Sequence, residues 1–192
     1  MPLAADAVGF VGHSSGPASV VRIASILQNG VVCWGAVRDG ILHLFEAVNT
    51  LEDLFCKCDS DARRPIESVA GLSLETVELL PPVIPRRNVF CVGWNYQSHF
   101  DEGAAKAARA VQKIPAHPAF FSKTTTTVNS PHAPVPLHAP VTRQLDWEVE
   151  LAVVIGKAGT SIAEANALDH VFGYCVANDV SARSRCACER LP

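Results

Sequence analysis

A mostly β fold with short helices, an α+β arrangement, is what this sequence predicts. Short apolar and β-branched runs recur along it, bounded by Asn-Gly, Asp-Gly and proline-rich punctuation. Helix signals are few and brief. The 192 residues allow one domain, or a small domain followed by a larger one. The same composition narrows the function. A net charge of −3, with the basic residues scattered, points away from nucleic acid. No apolar run approaches the about 18 residues of a membrane span, so no membrane partner is expected. Seven cysteines are an odd number, and no secretory signal precedes them. Free thiols in a reducing compartment follow, with the cytoplasm as the expected location and the mitochondrion as the alternative. Cys56 with Cys58 and Cys186 with Cys188 are C-x-C pairs, without the C-x-x-C spacing of common zinc sites.

Residues 1–19 are small and glycine-containing and read as a loose leader. A meander of three strands follows at 20–27, 31–37 and 41–45, turned at Asn29-Gly30 and Asp39-Gly40. Thr50 caps a short helix to Cys58, with Glu52 and Asp53 in its first turn. Residues 72–80 read as one strand leading into an extended segment with Pro81, Pro82 and Pro85. The region boundary falls there, giving a small β region at 20–85. Residues 88–92 form a strand. A helix is expected over 98–113, with Ser98 as its cap. His99 and Glu102 lie three apart on one face of it. From the residues alone, Glu102 is an ordinary first-turn acid. Residues 119–123 form a short strand ending at Lys123, which reads alone as a solvated strand-end lysine. A helix capped by Ser161 or Thr160 spans 161–169, and a strand spans 172–177.

The chain is organised around Leu145 to Lys157. Asp146, Glu148 and Glu150 stand two apart, so in a strand they share a face. Carboxylates so placed repel one another unless a cation sits among them. The run 151–155 is apolar, as in a core strand. Oxygen-only donors suit a hard cation such as Mg²⁺. A merely acidic, solvated outer face explains the spacing equally well at this point.

Four motifs occur in order. They are Gly93, Asn95, Tyr96, His99 and Glu102; Phe121 and Lys123; Asp146, Glu148 and Glu150 with the apolar run to Gly156; and Asn178, Asp179, Ser181, Ala182 and Arg183. Together they resemble the fumarylacetoacetate hydrolase (FAH) family over residues 22–183, most densely from Asn88. The resemblance implies a mixed β-roll, here incomplete at the C-terminus, with a partial catalytic domain at 86–183. The tail at 184–192 does not look like the family's continuation. The resemblance also implies Glu148, Glu150 and Asp179 as ligands of Mg²⁺, with Mn²⁺ or Ca²⁺ as substitutes and Asp146 as a weaker candidate. His99 and Glu102 become a water-activating dyad, Lys123 a group near substrate, and Arg183 a support for the site. The implied activity is hydrolysis of a C–C bond in acylpyruvate-type 1,3-diketo acids, with a keto acid substrate and a homodimer. Decarboxylation or isomerisation of related keto acids is the alternative. A third reading is an inactive fragment that binds a full-length partner by strand addition.

Overall fold

The computed structural model describes residues 9–10, 21–59, 71–93, 95–98, 101 and 116–182, with backbone only at 9–10 and 56–59. Two compact units emerge, Met1–Val83 with Ser130–Pro192, and Ile84–Asn129.

The first unit is built on the meander. β2 (Val21–Gln28), β3 (Val31–Arg38) and β4 (Ile41–Leu44) pair antiparallel in sequence order. Both connections carry positive φ at each central residue, 51° and 78° at Asn29-Gly30 and 49° and 77° at Asp39-Gly40. That is the tight turn whose twist matches the flanking strands. β1 (Gly9–Phe10), inside the stretch expected as a leader, pairs with Arg22 and Val21 of β2. The strand expected over 72–80 is two short ones, β5 (Leu72–Ser73) on β4 and β6 (Leu79–Leu80) on β2. A turn separates them because Ser73 O accepts both the backbone N–H and the hydroxyl of Thr76. Six strands thus form one sheet among the described residues.

β2 and β3 are buried on both faces, and each face has its own core. Ala24, Ile26, Val37, Leu42 and Leu79 form one cluster. Ile23, Trp34, Val48 and Leu54 form the other, against α1 (Leu51–Asp59). The helix starts where the sequence places its cap. Thr50 Oγ1 accepts the Asp53 N–H at 3.1 Å, and Asp53 Oδ2 accepts the Thr50 N–H at 2.9 Å. This reciprocal pair satisfies donors that a helix start leaves open. Pro81 and Pro82 are fastened to the same face. Ser25 Oγ donates to Pro81 O at 2.7 Å, and the Trp34 indole N–H donates to Pro82 O at 3.2 Å.

β10 (Val149–Ile155) and β11 (Val171–Asn178) form an antiparallel pair in the same unit. The register skips Phe172 between the Val154–Gly173 and Ile155–Val171 pairs. Such an extra residue re-aims its side chain. Phe172 packs on the Trp34 cluster, its ring centroid 4.6 Å from that of Phe55. The helix expected over 161–169 is instead a 3₁₀ segment, Glu164–His170, following Ala163. Ser161 does not cap it. Its φ is 51°, outside the extended backbone that a capping residue takes. β9 (Leu145–Asp146) pairs with β12 (Ser181–Ala182).

In the second unit β7 (Val89–Gly93) pairs antiparallel with β8 (Ala119–Lys123), Lys123 opposite Val89. Gln97, Ser98 and Asp101 are helical, so the helix has begun by Gln97, a residue ahead of the expected cap.

Candidate metal centre

Glu148 and Asp179 sit where a ladder is interrupted. On one side of the break β10 pairs with β11; on the other β9 pairs with β12. Between them the backbone is held by bonds that are not ladder bonds. The Asp179 N–H donates to Glu148 O at 2.8 Å, and the Glu148 N–H donates to the Asn178 side-chain oxygen at 3.2 Å. Ser181 Oγ donates to Glu148 Oε1 at 2.5 Å and so orients that carboxylate. Asn178 and Ser181 are members of the N-D-x-S-A-R motif whose work the motif itself did not disclose. They fix the backbone and the side chain of one acid.

The acids are not on a solvated outer face. Asp146, Glu148 and Glu150 are half-buried, while Leu145, Trp147, Val149, Leu151, Val153 and Ile155 are exposed. The acid-bearing face continues into Ala152 and Val154, and Val154 packs on the Trp34 cluster. Glu150 lies opposite Ala177, whose small side chain leaves room beside it. Oδ1 of Asp179 is buried. Cys175, opposite Ala152 on the same face, has its thiol pushed up by burial.

Glu148, Glu150 and Asp179 are thus neighbours along one interrupted hairpin, all oxygen donors, the set a hard divalent cation takes. Among the described residues, though, no three His, Cys, Asp or Glu side chains gather closely enough to hold a metal ion. The backbone brings the three positions together, and the side chains stand short of a ligating trio. Lys123 is half-buried at the end of β8. His99, Glu102 and Arg183 lie outside the described residues.

The model of the fumarylacetoacetate (FAA) hydrolase C-terminal domain matches residues 88–192, more than half of the chain. This chain belongs to the fumarylacetoacetate hydrolase family. An oxaloacetate tautomerase of Bacillus subtilis is 43% identical over 125 residues, covering 64% of this chain and 40% of that relative. The structure of a fumarylacetoacetate hydrolase from psychrophilic Exiguobacterium antarcticum superposes with a TM-score of 0.68 at 31% identity, covering 85% of this chain and 57% of that one. A 2-hydroxyhepta-2,4-diene-1,7-dioate isomerase from Mycobacterium marinum gives 0.61 at 27% identity, with 85% and 56% covered. The FAH-family chain therefore spans 40% of the tautomerase and little more than half of the two solved structures. The mostly β fold with few short helices is that of the family. No helix among the described residues is long and apolar enough to cross a membrane.

Proposed function

We propose that this chain carries the metal-binding part of a hydrolase that cleaves a C–C bond in acylpyruvate-type 1,3-diketo acids. The observation that supports it is the inward placement of Glu148 and Glu150 beside Asp179 at the interrupted hairpin. Those three residues would hold Mg²⁺, or Mn²⁺ or Ca²⁺ in its place, and Asp146 flanks them. When bound, the cation supplies Lewis acidity to the substrate's keto oxygens.

The rest of the chemistry belongs to side chains. His99, oriented by Glu102, takes a proton from water. The hydroxide attacks the distal carbonyl carbon, and the C–C bond to the pyruvate unit breaks. The acyl half leaves as a carboxylate, and the enolate of the pyruvate half takes a proton at carbon. Lys123 offsets the negative charge that develops. The Bacillus subtilis tautomerase and the Mycobacterium marinum isomerase favour a second reading, proton transfer on a keto acid without bond cleavage. His99 then moves a proton on substrate carbon rather than on water.

Thermal unfolding with and without Mg²⁺ tests the metal reading. A ligand that binds only the folded state raises the midpoint. The parent's midpoint should rise and that of Glu148→Ala/Glu150→Ala should not. Equal behaviour of the two chains sinks the assignment. Acylpyruvate cleavage and oxaloacetate keto–enol interconversion, followed side by side, separate the two chemistries. His99→Ala should abolish whichever occurs while sparing the Mg²⁺ shift.

A further inference from the structure

Glu148 is tied through its N–H, its carbonyl and its carboxylate, all by residues of the stretch 178–181. The N–H donates to the Asn178 side chain, the carbonyl takes the Asp179 N–H, and Oε1 takes the Ser181 hydroxyl. Ser181 stands opposite Asp146 in the β9–β12 pair, so its side chain leaves the sheet on the face of that acid. The 2.5 Å between hydroxyl and carboxylate is the length of a charge-assisted bond, about twice as strong as a neutral one. The pair is partly buried, which strengthens it further. One oxygen of the Glu148 carboxylate is therefore already engaged, and Oε2 is the oxygen left for a cation. Hard cations differ in what they ask of a carboxylate. Ca²⁺ takes about six to eight oxygens at roughly 2.3–2.6 Å and accepts a carboxylate through both of its oxygens. Mg²⁺ demands near-ideal octahedral geometry at roughly 2.0–2.1 Å, which the narrow bite of one carboxylate does not fit, so it takes one oxygen.

We propose that Ser181 sets the cation preference of this centre: by engaging Oε1 it holds Glu148 to binding through Oε2 alone, and so favours Mg²⁺ over Ca²⁺. Ser181 is a positioning residue that acts through Glu148. Without its hydroxyl the carboxylate can turn and offer both oxygens, which suits the larger cation. The proposal rests on the reading of Glu148, Glu150 and Asp179 as metal ligands.

Isothermal titration calorimetry of the 192-residue chain with Mg²⁺ and, separately, with Ca²⁺ gives the two dissociation constants and their ratio. Ser181→Ala should weaken Mg²⁺ binding at least about tenfold, the loss typical when a ligand's orienting partner is removed. Ca²⁺ binding should weaken by less than about threefold, so the preference for Mg²⁺ falls at least about threefold. Ser181→Cys keeps the shape of serine but donates weakly, and its thiol does not attract either hard cation. It should move the ratio the same way, which keeps the test sound where Ser181→Ala fails to fold. Ser181→Thr restores the hydroxyl on a residue suited to a strand and should return the parent's ratio. A ratio unchanged in Ser181→Ala or Ser181→Cys overturns the proposal, even where both cations bind more weakly, because the serine is then merely structural. If the parent binds Mg²⁺ and Glu148→Ala/Glu150→Ala does not, that outcome leaves the ligand reading standing. A parent that binds neither cation overturns the ligand reading and this proposal with it.

Discussion

Leu54→Ala should destabilise this FAH-family chain by about 3–4 kcal/mol, in the middle of the range for buried leucines. Leu54 is 0% exposed and closes the cluster of Ile23, Trp34 and Val48. The cost of such a truncation depends on how far the surroundings collapse into the space left. Here they are pinned. Ile23 and Trp34 belong to strands laddered on both sides, and the Trp34 indole is tied to Pro82 O. The cavity therefore stays largely open. The damage should also travel, because Val154 and Phe172 pack on this cluster from the hairpin that carries Glu150. Urea unfolding followed by circular dichroism gives the free energy, and an unchanged slope shows that the loss is one of stability. Where amides exchange by global unfolding, those of β10 should exchange several hundredfold faster, the equivalent of that loss. Leu54→Met, which keeps volume, should cost less than about 1.5 kcal/mol. A loss below about 1 kcal/mol for Leu54→Ala would refute the packing of α1 on the sheet.

Thr50→Ala removes the acceptor for the Asp53 N–H and should cost about 1 kcal/mol by the same urea measurement, with Thr50→Asn near neutral. Gly156→Ala places a methyl 2.7 Å from Cβ of Phe172, which is fixed to its backbone, so about 1–3 kcal/mol of overpacking is expected; an unchanged stability would mean that the bulge shifts freely. Burial raises the Cys175 thiol above its ordinary 9.0. The unfolded chain then loses its proton first as the pH rises. The stability present below about pH 9 should decline toward the folded value, and Cys175→Ala should flatten that alkaline decline in denaturation measured from pH 7 to 10.5. Identical declines in the two chains would show that Cys175 is not its source.

What could be read from the residues was what is decided locally. Asn29-Gly30 and Asp39-Gly40 specify their turns because few residue pairs accept two positive φ values in succession. Thr50 and Asp53 specify a helix start because both partners lie within one turn. The acids two apart told that Asp146, Glu148 and Glu150 share a face, but alternation does not say which face turns inward. That was decided by Val154 and Phe172 meeting the Trp34 cluster, a contact between distant segments. The break between β9 and β10 was equally hidden. It depends on Asn178 taking the Glu148 N–H, and no propensity reports a side chain thirty residues away. Ser73 divided an expected strand by a local turn that apolar content at Leu72, Leu74, Leu79 and Leu80 obscured. The motif residues of the site were visible, while the tasks of Ser181 and Asn178 needed the geometry.

The two tight turns also set an order in time. β2, β3 and β4 close with two-residue loops, so little chain entropy is lost in bringing their partners together. Isolated hairpins of this kind form in about 1–10 microseconds. The pairing of β10 with β11 must wait for the whole of 156–170 to be gathered, and β12 finds β9 across a longer span still. During synthesis the meander leaves the ribosome first, so it can be assembled before the acid-bearing strand exists. The Trp34 face is then a finished template, and the hairpin of Glu148 and Asp179 condenses upon it last.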